Sequence, residues 1–181
     1  MRTLVHPDRT VEQAHAIAAT VTDPELPMIT LLDLGVLRDV RAEGGRIVVE
    51  IAPTYSGCPA LSVMRLDVAR RLRAAGFENV DVRTVLSPPW RSDDITARGR
   101  AVLAEHGIAP PNPAWGSPRL RGRSGCPVPL MIGTRRTGPP VACPQCGSSD
   151  TVETSHFGAT ACKALYRCAS CREPFEHVKE I

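Results

Sequence analysis

Cys143-Pro-Gln-Cys146 is answered, after 21 intervening residues, by Cys168-Ala-Ser-Cys171. Two CxxC pairs at this separation match the pattern of a four-thiolate zinc site. Each pair forms a tight knuckle, and a hairpin-length connection lets the two knuckles face each other. Gly147 follows the first knuckle, where a residue free to take positive φ helps the chain turn away. The reading adopted is a structural zinc held by Cys143, Cys146, Cys168 and Cys171. The same four residues leave open a rubredoxin-like iron, an iron–sulfur cluster or disulfides. His156 and His177 are possible substitute ligands, outranked by thiolates at CxxC spacing. The large apolar residues here are mainly Val152, Phe157, Leu165, Tyr166, Phe175 and Val178, too few for a self-sufficient core. The metal is therefore expected to supply much of the folding free energy of this segment.

Cys58 offers different chemistry. It lies in Pro53-Thr-Tyr-Ser-Gly-Cys58-Pro59, and Pro59 suits a first helical position, which makes Cys58 the expected N-cap. A thiol there faces unpaired backbone N–H groups and the positive end of a helix dipole, which favours thiolate. Gly57 lets the backbone turn beneath it, and the Thr54 and Ser56 hydroxyls can donate to an anion or metal ligand. On position alone, a small buried apolar residue at a helix start is an equal alternative. Asp23 and Glu25 stand in a Pro-bracketed loop, where Asp23 is expected to terminate a helix and Glu25 to be solvated; Asp33 can stabilise a turn. Cys162 is a fifth thiol beside a site that needs four, so it reads as a buried free cysteine, a redox partner or an exchanging ligand. Cys126 reads as an incidental exposed thiol, and His6, His15 and His106 as surface or helix-end histidines. No Ser-His-Asp order, Walker loop or GxGxxG is present.

The elements that must position these groups follow from periodicity. Thr10 and Gln13 form a capping-box pair ahead of Val11, Ala14, Ile17, Ala18 and Val21 on one helical face, with Asp23-Pro24 expected to end the helix. Val36–Arg41 and 46–51 read as strands joined by a hairpin turn at Glu43-Gly44-Gly45. A second helix carries Leu61, Met64, Val68, Leu72 and Ala75, with Gly76 as its stop. Val80, Val82 and Val85 suggest a third strand, broken by Pro88-Pro89-Trp90, and a last helix through Ile95, Val102 and Leu103 stops at Gly107. The order helix, hairpin, helix, strand, helix predicts an α+β sandwich of helices on a short sheet, over residues 1–110.

Residues 111–140 differ in kind, holding seven of the 17 prolines, five glycines, five arginines and no acidic residue. They read as a linker, and residues 141–181 as a β-rich zinc ribbon. Arg119, Arg121, Arg123, Arg135 and Arg136 raise RNA binding, but Trp115 is the only aromatic residue among them, so nucleic acid is disfavoured. The net charge of +3 demands no polyanionic partner. An N-terminus without an apolar run, no stretch of membrane-spanning length and seven cysteines without an export signal predict a cytoplasmic protein that uses thiols for metals, not disulfides.

Val21-Thr-Asp23-Pro24-Glu25-Leu26, Leu32-Asp33-Leu34-Gly35-Val36 and Pro53-Thr54-Tyr55-Ser56-Gly57-Cys58-Pro59 resemble the MIP18-like family (DUF59), whose members assist iron–sulfur cluster assembly. Ser87-Pro-Pro-Trp90, Gly99-Arg100, Gly107-Ile108-Ala109-Pro110-Pro111, the run Phe157-Gly-Ala-Thr-Ala-Cys-Lys-Ala-Leu-Tyr-Arg-Cys168 and Glu173-Pro174-Phe175 are more narrowly similar to the PaaD family. These are the small subunits encoded with bacterial phenylacetyl-CoA epoxidase, an oxygenase of aerobic phenylacetate breakdown. The resemblance spans nearly the whole chain outside residues 112–140. It implies a MIP18-like domain followed by a zinc ribbon, with Asp23, Glu25, Leu26, Thr54 and Cys58 lining a functional cleft. It implies an accessory or maturation role toward the other oxygenase subunits, a di-iron catalytic subunit and an iron–sulfur flavin reductase, with a transient iron or iron–sulfur cluster at Cys58. The alternative is a structural scaffold of that complex. No flavin- or nucleotide-binding loop is visible, so catalysis by the chain alone is not expected.

Overall fold

The structure is a computed structural model and describes residues 10–55, 57–112 and 140–179. The linker reading, with its arginines, Trp115 and Cys126, lies almost wholly outside the described residues, as does Ser56. Among the described residues the architecture is mixed α+β, with three α-helices and two small sheets.

Helix α1 spans Val11–Ala18, and its capping box is reciprocal: Thr10 Oγ1 accepts from Gln13 N at 3.2 Å while Gln13 Oε1 accepts from Thr10 N at 3.1 Å. The helix stops at Ala18, five residues before Asp23, so Asp23 does not terminate it. Thr20 Oγ1 instead donates back to Ile17 O, and Val21 leaves the helix yet stays buried. Strands β1 (Leu37–Glu43) and β2 (Arg46–Ile51) form the expected hairpin, with Gly44 and Gly45 at φ 57° and 79° in the tight turn. Helix α2 (Leu61–Ala74) crosses back to β3 (Val80–Thr84), which pairs parallel to β2 and gives the sheet order β1-β2-β3. The periodic residues Met64, Val68 and Leu72 are fully buried in the main apolar cluster, with the sheet residues Val49 and Ile51.

Helix α3 (Ala97–Glu105) begins after Ile95, later than its apolar pattern suggests. Asp33 seats it: Asp33 O accepts from Thr96 N at 2.9 Å and Asp33 Oδ1 from Thr96 Oγ1 at 2.9 Å. The Leu32-Asp33-Leu34-Gly35 and Pro-Pro-Trp motifs interlock by the same logic, since buried Trp90 donates from Nε1 to Leu34 O at 2.9 Å. A side chain on Gly99 would stand 2.5 Å from the Asp33 carbonyl oxygen, so this helix approaches at a distance only glycine allows.

The second sheet has the order β4-β7-β6-β5, formed by β4 (Ile108–Ala109), β5 (Thr151–Ser155), β6 (Lys163–Cys168) and β7 (Pro174–Val178). Its first strand belongs to the segment that follows α3 and pairs parallel with β7, Ile108 opposite Glu176 and Ala109 opposite His177. Val178 is buried in the same apolar cluster as Ala18, Leu26 and Ala60. Of the apolar residues assigned to a ribbon core, Phe175 and Val178 are buried, whereas Val152, Phe157 and Leu165 are exposed. The ribbon is thus held from two sides, by its cysteines and by the first domain. Among the described residues no helix is long and apolar enough to cross a membrane.

Candidate functional site

The four-cysteine centre is built by two knuckles of like design. In the first, Gly147 N donates to Cys143 O at 2.8 Å and Gly147 takes φ 73°, as its place after the knuckle requires. In the second, Arg172 occupies the corresponding place after Cys171 and takes φ 67°, the only positive-φ non-glycine among the described residues. Cys171 N points at Cys168 Sγ, 3.5 Å away, and Ser148 Oγ meets Ser170 Oγ at 2.8 Å across the two turns. Stacked Tyr166 and Phe175, with ring centroids 5.8 Å apart, lie in and beside the small cluster that holds Cys143 and Cys168.

All four sulfurs lie within 4.8 Å of one another, and Cys143–Cys171 and Cys146–Cys168 are each 3.6 Å apart. A tetrahedral ion with metal–sulfur bonds of about 2.3 Å sets sulfur–sulfur edges of roughly 3.8 Å, so the donor set fits such an ion. The titration behaviour of the thiols agrees. The backbone N–H of Cys171 holds Cys168 down to about 6. Cys171, although the Glu173 N–H favours its anion, is pushed up to about 12 by burial and by the neighbouring Cys146, Cys168 and Cys143 sulfurs. Four thiolates this close repel one another until a cation is placed among them. His177 lies outside this set, with Nδ1 3.1 Å from Ala109 O, and His156 is next to Glu153.

Asp23, Glu25 and Cys58 come together on the first domain. Asp23 is buried, and its Oδ1 accepts from Glu25 N at 2.7 Å and Leu26 N at 2.9 Å, so the carboxylate folds the loop over itself. Burial nevertheless raises its pKa, against the pull of those two N–H groups and of Lys163. Glu25 is half-buried, not fully solvated as the loop position suggested, and is likewise raised by burial and by Asp23. Leu26 is buried beside it in the main cluster, and Thr54 is half-buried one residue before Tyr55.

Cys58 departs from expectation in both position and charge. The N-cap of α2 is Ala60, with no side-chain cap, and Cys58 sits two residues earlier in a turn closed by Cys58 N donating to Tyr55 O at 3.1 Å. Burial pushes the Cys58 thiol up; the Ala60 N–H opposes this, and Glu25, Asp23 and Cys162 add to it. Burial, seconded by the two carboxylates, therefore favours the neutral thiol, and the N–H at the helix end does not compensate.

Sequence reasoning singled out Cys162 without placing it, and gave no role to Tyr55 or Lys163. Cys162 is not a ligand of the four-cysteine centre; burial, Glu25 and Asp23 raise its thiol, and it acts in turn on Cys58. Tyr55 is raised by burial and by Cys58, Cys162 and Glu25. Lys163 is buried, bonds Glu176 Oε2 at 2.7 Å and acts on both Asp23 and Glu25. No local pattern marks these residues, since the ribbon must first be seated on the first domain. His106 is exposed, with Nδ1 on Val102 O at 2.8 Å, and is not among the groups acting on Cys58.

An α+β domain with an acid-lined thiol, joined to a four-cysteine ribbon, defines the class. Residues 13–85 match a family profile described as iron-sulfur cluster assembly protein, and residues 129–179 match that of the PaaD zinc beta ribbon domain. Over 171 residues, 94% of this chain and 93% of the other, the sequence is 40% identical to an Escherichia coli (strain K12) protein named as a subunit of 1,2-phenylacetyl-CoA epoxidase. The chain belongs to the PaaD family. Among solved structures, a DUF59 domain of unknown function from Bacillus anthracis is similar at 26% identity and a TM-score of 0.47, covering 51% of this chain and 89% of that one.

Proposed function

We propose that this protein is an accessory subunit of a bacterial multicomponent phenylacetyl-CoA epoxidase and assists the assembly of iron or iron–sulfur centres in its partner subunits. The partners in this reading are the di-iron oxygenase subunit and the iron–sulfur flavin reductase. The observation that carries it is the grouping of Cys58 with Asp23 and Glu25 on the domain that matches the iron-sulfur cluster assembly profile. The identity to the Escherichia coli epoxidase component supports the choice of complex. Cys58, Asp23, Glu25, Leu26 and Thr54 form the working cleft.

The chemistry of the cleft supports cation handling more than nucleophilic catalysis. A neutral thiol is a weak nucleophile, and among the described residues no histidine acts on Cys58 to take its proton. A soft cation reverses the balance, because it stabilises the thiolate that the carboxylates disfavour. Cys143, Cys146, Cys168 and Cys171 hold zinc in this reading, which supplies folding energy and no redox chemistry.

The test is to co-express the oxygenase subunits with the wild-type protein, with Cys58→Ser or with no copy, and to assay iron, labile sulfide and turnover in the purified complex. Iron-poor, inactive oxygenase without a working Cys58 is expected. Metal-replete oxygenase with full turnover beside Cys58→Ser, and loss only when the whole chain is missing, would make the protein a scaffold.

A further inference from the structure

The ribbon's first long strand begins where the cleft lies. Cys162 directly precedes β6; its carbonyl accepts from Lys179 N at 2.9 Å, and Thr160 Oγ1 lies 3.1 Å from its sulfur. Lys163, the next residue, pairs with Val178 across β6 and β7. Val178 is buried in the apolar cluster that also contains Leu26 and Ala60, and against which Cys58 packs. Leu26 follows Glu25 in the chain, and Ala60 lies two residues after Cys58. The start of β6 is therefore tied, through Val178, to the same apolar cluster against which Cys58 packs. The parallel pairing of β4 with β7 fixes it there.

Cys162 is half-buried and free, as is Cys58, and neither belongs to the four-cysteine centre. Around them stand Asp23, Glu25 and the Tyr55 phenol, with Lys163 as the nearby cation, itself tied to Glu176. The group carries more acid than base, which suits a cation and not an anion. Among the described residues only the four-cysteine set has its ligand atoms within 4.8 Å of one another.

We propose that the ribbon completes the cleft: Cys162 and Cys58 together form a two-thiol acceptor, flanked by Asp23 and Glu25, for a divalent thiophilic cation of the ferrous class. This deepens the cleft reading given above and rests on it. Binding breaks two S–H bonds and forms two metal–sulfur bonds, and both protons pass to solvent. The Cys162 sulfur gives up its Thr160 contact to turn inward. The electron count is unchanged, so no oxidant or reductant takes part. Uptake weakens as pH falls, because the two protons compete with the metal.

The test titrates cobalt(II), a spectroscopic stand-in for ferrous iron, anaerobically into full-length protein whose ribbon is loaded with zinc. A cobalt bound beyond the zinc, with a thiolate-to-metal charge-transfer band, is expected for wild type. Cys162→Ser and Cys58→Ser should each weaken it by more than about tenfold, since even outer-sphere losses reach that size. Zinc content and melting temperature establish that each variant is folded. As a second measurement, phenylarsine oxide should lose its oxygen as water and gain two As–S bonds, one adduct joining peptides 58 and 162 in wild type and none in either variant. Cobalt binding lost in Cys58→Ser but kept in Cys162→Ser, with no joined peptides, overturns the two-thiol site and leaves the cleft reading standing. Wild type without the extra cobalt overturns both.

Discussion

Replacing Lys163 by methionine isolates the charge that holds the ribbon and the cleft together. Methionine keeps most of the apolar stem and removes the ammonium. Lys163 is 6% exposed at its side chain and bonds Glu176 Oε2 at 2.7 Å, while Glu176 is 28% exposed. Removing one partner of a fully buried ion pair costs about 3–5 kcal/mol. Glu176 can still take water, which lowers the expectation to about 2–3 kcal/mol. For a chain of this length each kcal/mol moves the melting temperature by roughly 2–4 °C, so a fall of about 5–10 °C is expected. The penalty should depend on pH in a definite sense. Lys163 favours the charged forms of Asp23 and Glu25, whose pKa values burial has raised. As pH falls, Asp23 and Glu25 take up protons and have less to lose, so the penalty shrinks between pH 7 and pH 4. Thermal unfolding of zinc-loaded protein across that range measures it, and Lys163→Met with Glu176→Gln completes a double-mutant cycle, with about 1–2 kcal/mol of coupling expected. A penalty below about 1 kcal/mol, or one unchanged by pH, refutes the reasoning that a buried charge ties the two parts together.

Three further outcomes follow from the geometry. Cys168→Ser should release about one equivalent of metal and abolish hydrogen-exchange protection through residues 140–179, with β4 losing protection too and β1–β3 keeping theirs. Asp23→Asn keeps an oxygen for the Glu25 and Leu26 N–H groups; because burial has raised the Asp23 pKa, the wild type loses stability as pH rises through it, so the variant's relative melting temperature should climb from pH 4 to pH 7 in thermal scans. The alkylation midpoint of Cys58 should lie above that of a free cysteine in the same assay, and Glu25→Gln should bring it down; a wild-type midpoint at or below that of free cysteine would contradict the account of the thiol.

Local patterns were legible in the sequence where local forces decide. The Thr10–Gln13 box, the Gly44-Gly45 turn, the face of α2 and the four-cysteine spacing all appear as expected, because each is settled within one turn or one knuckle. Cys58 shows where that reasoning stops. Its neighbour Pro59 suggested a helix cap, but the cap is Ala60, and the thiol is raised by burial and then by Glu25 and Asp23, more than 30 residues earlier. Cys162 shows the same limit from the other side. In sequence it stands six residues before a metal ligand and reads as a spare thiol of the ribbon, yet strand pairing carries it to the first domain.

That placement bears on why a ribbon should be attached to this domain at all. The first domain has its own core, and the four clustered cysteines of the ribbon are separate from the cleft residues. A ribbon that served only to bind a partner would need no seam with the first domain. Here β4 is contributed to the ribbon's sheet, Val178 to the domain's core, and Lys163 to the field around Asp23 and Glu25. A metal at the four cysteines would hold β6 at its far end, at Cys168, while Cys162 stands just ahead of its near end. Loss of that metal should therefore be felt at the cleft. In metal-depleted protein the Cys58 alkylation midpoint should fall, because the Cys162 contribution that raises it goes with the ribbon.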